Sequence, residues 1–222
     1  GGIVNAATSA SAPVAPGSLV SIYGTTLGSG IFNAPSVPLT NTLGGTTVTV
    51  NGATVPLVYV SPGQINFQLP YETSPGTSSA TVTAACGTSP QVSFQVARTA
   101  PYLLLAADGS ALVINPDGSF NSASNAAPKG SIVIAYLTGI GPLDNPVATG
   151  AAAPNDPLSQ PTSTKKATIG SFDTSIKFLG LAPGFVGLAQ ANLEIPNLSP
   201  GKYPIVITVG GVDSNAGTMW VK

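Results

Sequence analysis

The sequence contains no histidine. This removes the commonest general base, the commonest metal ligand and the usual partner of a serine or cysteine nucleophile. Cys86 is the sole cysteine, so no internal disulfide can form and cysteine usage leaves the redox compartment undecided. As a small apolar residue near a strand end, Cys86 is expected to be buried. Charged residues make up 7% of the chain and the formal net charge is -1. Such a balance supplies neither the basic footprint that nucleic acid requires nor a patch for anionic lipid. No apolar run approaches the roughly 18 residues of a membrane span, so no membrane insertion is expected. Gly1-Gly2-Ile3 lacks both an initiating methionine and a basic leader. The chain is therefore expected to be exported through a signal peptide absent from this sequence, or to be numbered from inside a longer precursor.

What is present points to strands. Apolar residues make up 43% of the 222 residues, with 26 glycines and 21 prolines. Short β-branched runs cut by Gly and Pro mark a sandwich or barrel, and no long amphipathic helical pattern appears. One unit is also written twice. Gln64-Ile65-Asn66-Phe67-Gln68-Leu69-Pro70 recurs as Gln190-Ala191-Asn192-Leu193-Glu194-Ile195-Pro196. Successive side chains of a strand point to opposite faces, so Gln64, Asn66 and Gln68 should lie outside while Ile65, Phe67 and Leu69 lie inside.

The echo continues on both sides of that motif. Ser18 to Gly24 matches Ser131 to Leu137, which pairs Tyr23 with Tyr136, and Ser74-Pro75-Gly76 matches Ser199-Pro200-Gly201. Tyr23, Tyr136 and Trp220 are expected in sandwich cores, where large aromatics dominate. The Asn51-Gly52 pair predicts a tight hairpin. With about seven short strands per half, the fold class is all-β, two tandem immunoglobulin-like sandwiches joined by an ordered hairpin-containing connector. The expected units are a first sandwich with its N-terminal segment over residues 1–97, a connector over 98–125 and a second sandwich over 126–222.

Together with Gly24-Thr25-Thr26-Leu27-Gly28 and the Val-Asn-Gly turn, each half resembles the IPT/TIG branch of immunoglobulin-like domains. Over the whole chain, the segments Ala15 to Gly24, Tyr59 to Asn66, Leu181 to Leu188 and Val209 to Asn215 resemble the uncharacterised Solibacter-type C-terminal domain. That family occurs mainly at the ends of large secreted acidobacterial proteins. The resemblance implies an exported module and carries no catalytic residues. Nothing large precedes the module in this sequence, so the expectation is that it acts on its own or is cut from something longer.

No residue is assigned a catalytic, metal-binding or cofactor-binding role, and no enzyme activity is expected. The acids are scattered: Asp108-Gly109 and Asp117-Gly118 read as turn formers. Asn115 to Ser119 is the nearest approach to a calcium loop and is too poor in acids. The expected function is that of a non-enzymatic extracellular structural protein, a self-associating building block of a cell-surface filament, sheath or layer. Sandwich edges expose unpaired backbone, and this chain has few charges with which to block them. Its partners would be other copies of itself. Ile3 and Val4 are the candidate subunit contacts if the N-terminal segment adds as a strand to a neighbour, and Tyr102 is a third. The alternative is an extracellular carbohydrate-binding or adhesion module that grips polysaccharide with the Gln/Asn rows and a few tyrosines. More plainly, those rows are a solvated strand face or a hydrogen-bond ladder. A hydrolase ranks last for want of a base.

Overall fold

The computed structural model describes residues 2–7 and 13–222; Gly1 and residues 8–12 of the N-terminal segment lie outside the described residues. Regular structure among the described residues is entirely β, arranged as two tandem sandwiches.

The first sandwich is built from β1 (Gly2–Asn5), β2 (Leu19–Tyr23), β3 (Phe32–Asn33), β4 (Thr42–Leu43), β5 (Thr46–Val50), β6 (Ala53–Thr54), β7 (Leu57–Val60), β8 (Gln64–Gln68), β9 (Gly76–Ala84), β10 (Gly87–Thr88) and β11 (Val92–Val96). One sheet has the order β1-β2-β8-β7-β3; the other runs β10-β9-β5-β4, with β11 on β9 and β6 on β5. The core between them holds Val20, Val48, Leu57, Ile65, Phe67 and Leu69, each fully buried. At about 1.5–3 kcal/mol for each large side chain, burial of this row is what holds the two sheets together. The Asn-Gly turn forms as expected: Asn51 at φ 50° and Gly52 at φ 85° close β5 onto β6, a conformation open to this pair because both residues tolerate positive φ.

The second sandwich uses β12 (Tyr102–Leu103), β13 (Val113–Ile114), β14 (Ile132–Thr138), β15 (Lys165–Ile169), β16 (Phe172–Asp173), β17 (Ile176–Leu181), β18 (Ala189–Glu194), β19 (Gly201–Val209), β20 (Val212–Asp213) and β21 (Gly217–Val221). Its sheets run β12-β14-β18-β17, with β13 also on β14, and β16-β15-β19-β20, with β21 on β19. Leu137, Ile169, Leu179, Leu193, Ile207 and Met219 fill its core. Duplication reaches the irregularities as well. A bulge between Leu57 and Tyr59 offsets β7 against β8, and one between Ile176 and Phe178 offsets β17 against β18 at the matching place. An extra residue in one strand re-aims the side chains beyond it.

The segment between the halves is ordered and packs on the second sandwich. Leu105 and Ala111 bridge across the Asp108-Gly109 turn, and β12 and β13 both pair with β14. Two asparagines stand in for strand backbone there. Asn215 accepts from the Leu103 N–H at 2.7 Å and donates to its carbonyl at 3.2 Å, while Asn121 accepts from the Trp220 N–H at 2.7 Å and donates to its carbonyl at 2.8 Å.

Several residues sit differently from the sequence expectation. Val20 and Ile22 face the first core, so Tyr23 faces out and is half-buried; Tyr136 likewise follows inward Ala135. Trp220, between inward Met219 and Val221, is half-buried on the outer face with the Lys202 ammonium 5.7 Å from its ring. Strand parity outweighs residue type in all three. Cys86 is exposed, because it sits at the tip of the β9–β10 turn rather than within a strand.

Candidate functional site: duplicated sheet faces and the joint between sandwiches

Each repeated strand carries an amide pair on its outer face, with an aromatic residue on either side. In the first sandwich Tyr23 lies opposite Gln64 and Tyr59 opposite Asn66. In the second, Tyr136 lies opposite Gln190 and Phe178 opposite Asn192. All eight side chains are half-buried. Within each quartet the Gln Nε2 donates to the Asn Oδ1, at 2.8 Å from Gln64 and 3.1 Å from Gln190. Asn66 accepts a further bond from the Ser21 hydroxyl at 2.8 Å. The alternative reading joins a few tyrosines to the Gln/Asn rows, but Tyr23 and Tyr136 are expected in the cores. The pairing of these particular aromatics with the amides comes from the sheet register. Their equivalent positions in the two copies were the signal that could have shown it.

The third member of the first row behaves differently. Gln68 points outward from its own sandwich, as parity requires, yet is fully buried, because the second sandwich covers it. Its Oε1 accepts from the Gly150 N–H at 2.7 Å, and the Gly150 carbonyl accepts from the Leu39 N–H at 2.8 Å, a reciprocal clasp across the joint. The Leu19 N–H donates to Thr138 Oγ1 at 3.2 Å, and that hydroxyl donates to the Gly187 carbonyl at 3.0 Å. The Tyr71 N–H donates to Thr149 Oγ1 at 3.1 Å, which donates to Glu72 Oε2 at 2.8 Å. The Tyr71 ring packs against the second core and lies over Gly17, where an added Cβ would fall 2.1 Å from it. Its hydroxyl is buried without a hydrogen-bond partner among the described residues. Burial pushes the phenol pKa well above its ordinary value; the nearby Gln68 amide opposes this and the Glu72 carboxylate adds to it.

Beside the joint runs a cleft of about 550 Å³, lined by Leu19, Val37 and Val58 from the first sandwich and Phe185 and Leu188 from the second. Phe185 is 57% exposed there and belongs to the extra residues of the second copy.

The expected subunit contacts fall on different sandwiches. Ile3 and Val4 lie on β1, paired along β2 of the same chain, with Ile3 turned toward the first core. Tyr102 is half-buried on β12, opposite Thr138 at the joint.

Five of the eight acids are taken up by turns and ion pairs within their own sandwich. Asp108 accepts from the Ser110 N–H at 2.9 Å and Asp117 from the Ser119 N–H at 3.0 Å; these bonds, with the seryl hydroxyls, hold both carboxyls below the usual range. Asp144 clasps the Asn145 and Gln160 N–H groups at 2.7 and 2.8 Å. Glu194 pairs with Lys177 at 2.7 Å and Asp173 with Lys166 at 3.1 Å. Among the described residues, no three of His, Cys, Asp and Glu come together as a metal site would require.

The IPT/TIG domain family matches residues 3–96, the first sandwich. No curated protein matches the chain. Solved structures similar to it include the mixed-linkage glucan utilization locus protein SGBP-B of Bacteroides ovatus, in complex with a mixed-linkage heptasaccharide. That match has 14% identity and a TM-score of 0.39, and covers 95% of this chain and 42% of that one. The surface glycan-binding protein PbSGBP-B of Prevotella bryantii matches at 13% identity and a TM-score of 0.29, over 99% of this chain and 40% of that one. Domains 5–6 of the S-layer protein SbsC match at 13% identity and a TM-score of 0.31, over 96% and 94%. The chain spans less than half the length of the first two.

Proposed function

We propose that the chain is a non-enzymatic structural module of the cell exterior, in which sandwiches stack end to end and the far end of the second receives a further copy. The resemblance to a family of secreted proteins supports the exterior setting. The observation that carries the stacking is the repetition of the joint's backbone frame. At the joint, Gly17 at φ 80° donates its N–H to the Leu69 carbonyl at 2.8 Å, and the Leu69 N–H donates to the Ser18 carbonyl at 2.9 Å. At the far end of the second sandwich, Gly130 at φ 75° donates to the Ile195 carbonyl at 2.9 Å, and the Ile195 N–H donates to the Ser131 carbonyl at 2.9 Å.

Leu19, which leads the first frame into the joint, corresponds to Ile132, which is 45% exposed. Thr138, which receives Leu19, corresponds to Thr25, which is exposed. Thr26 at φ 57° and Gly139 at φ 83° share the same turn conformation beside them. One copy thus presents a frame like the one already used inside the chain, together with a matching place to receive it. Repeating a contact between unlike ends builds an open array.

Sedimentation velocity and negative-stain imaging at rising concentration test this. The wild-type chain should form end-to-end oligomers and Ile132→Asp should reduce them to single particles; wild-type particles that stay single at every concentration would overturn the reading. Removing residues 1–12 separates the two routes to assembly. Oligomers that survive support end stacking, whereas their loss supports strand addition through Ile3 and Val4.

A further inference from the structure

We propose that the two outer-face quartets, Tyr23/Gln64/Asn66/Tyr59 and Tyr136/Gln190/Asn192/Phe178, are equivalent binding faces for a neutral polysaccharide chain. Both faces lie within single sandwiches and are present whether or not copies stack end to end. Each face sets an amide pair on a central strand, with one aromatic on the strand to either side. Two inter-strand spacings and two residues of rise put the flanking Cα atoms roughly 12 Å apart along the diagonal, a length that a disaccharide spans. Aromatic rings offer flat apolar surface to the C–H face of a pyranose, and amides offer directed donors and acceptors to its hydroxyls.

The amide pair is already oriented. Its internal bond uses the Gln Nε2 and the Asn Oδ1, which leaves the Gln Oε1 as an acceptor and the Asn Nδ2 as a donor. A vicinal diol matches that set, because one hydroxyl can donate while its neighbour accepts. Holding the two amides together before binding lowers the entropy lost when sugar arrives.

Charge selects the class of glycan. Neither quartet contains a carboxylate, an ammonium or a guanidinium group. The closest charge in sequence is Lys177, next to Phe178 on β17, and its ammonium is already paired at 2.7 Å with Glu194, two residues beyond Asn192 on β18. An anionic polymer finds no cation in either quartet, so the faces fit an uncharged chain.

The test is native affinity electrophoresis of the whole chain through gels containing hydroxyethylcellulose, mannan or laminarin, with alginate as the anionic counterpart. It is run on the wild type and on Ile132→Asp, so that a failure of end stacking and a failure of sugar binding are read separately. Retardation in at least one neutral gel and none in alginate is expected. Asn66→Ala or Asn192→Ala alone should weaken retention roughly tenfold through loss of one of two linked sites, and the double variant should abolish it. Gln64→Ala/Gln190→Ala serves as a second pair, with thermal melts checking that each variant is folded. No retardation in any neutral gel, retardation in alginate alone, or unchanged retention in both folded double variants would overturn the proposal.

Discussion

The two ends of the repeated unit share a backbone and differ in what seals them. At the joint, the strand after Gly17 meets a partner sandwich, Gln68 reaches across to Gly150, and the Tyr71 ring covers the seam. At the far end of the second sandwich the same turn follows Gly130. There Glu194 stands in place of Gln68 and pairs with Lys177 of its own sheet, while exposed Asn197 replaces Tyr71. Duplication fixed the frame of both ends, and a few side chains decide which of them is permanently closed. A neutral amide that can be buried suits a closed joint; a carboxylate that would have to be desolvated suits an end that opens to water.

Substitution at matched positions measures that difference. The largest effect is expected at the glycines. Gly17→Ala strains a left-handed backbone at about 1–2 kcal/mol and drives a methyl group into the Tyr71 ring, which adds about 1–3 kcal/mol of overpacking. Gly130→Ala, with nothing within 4 Å of the added carbon, should cost only the strain, about 1–2 kcal/mol. Chemical denaturation of the two variants reads the gap, and equal losses would mean that the joint contributes no packing at Gly17.

A smaller contrast separates Gln68 from Glu194. Gln68→Leu leaves the Gly150 N–H buried without its acceptor and should cost about 1–3 kcal/mol. Glu194→Ala removes an exposed ion pair whose attraction solvent largely screens, at most about 1 kcal/mol. Melting curves at moderate salt distinguish the two, and similar losses would show that the clasp is weaker than its geometry implies.

The subtlest effect is in alkali. The folded phenol of Tyr71 titrates above its ordinary value of 10.0, so above pH 10 the unfolded chain sheds this proton first and stability falls as pH rises toward the folded value. Below pH 10 both states keep the proton and no loss occurs. Tyr71→Phe removes an unpartnered buried hydroxyl, so stability at neutral pH should stay within about 1 kcal/mol. The variant should also lose part of the alkaline decline. Superimposable pH profiles for the two chains would show that Tyr71 is not shielded at the joint.

Strand identity was legible from alternation, and the repeat of Gln64 to Pro70 at Gln190 to Pro196 announced two sandwiches before any pairing was known. The alternation also assigned the faces correctly. Gln68 does face outward; its burial comes from the neighbouring sandwich, and no local pattern encodes where that neighbour lies. Tyr23, Tyr136 and Trp220 show the opposite failing, since parity alone would have turned them outward and their residue type argued for the core. The outer-face quartets needed both kinds of knowledge. Equivalent positions of Tyr23 and Tyr136 were visible in the sequence. The bulges at Leu57/Tyr59 and Ile176/Phe178, which bring Tyr59 and Phe178 opposite the asparagines, belong to the sheet and not to the string of letters.

The joint has two unlike sides, a glycine-led strand start on one and a threonine-bearing turn on the other. A contact of that kind has a direction, as a bolt and a nut do. Any row of sandwiches assembled by it is polar, with Thr25 bare at one tip and Ile132 bare at the other. Nothing in such a row fixes how long it grows, so its length would be governed by supply and by whatever blocks a tip.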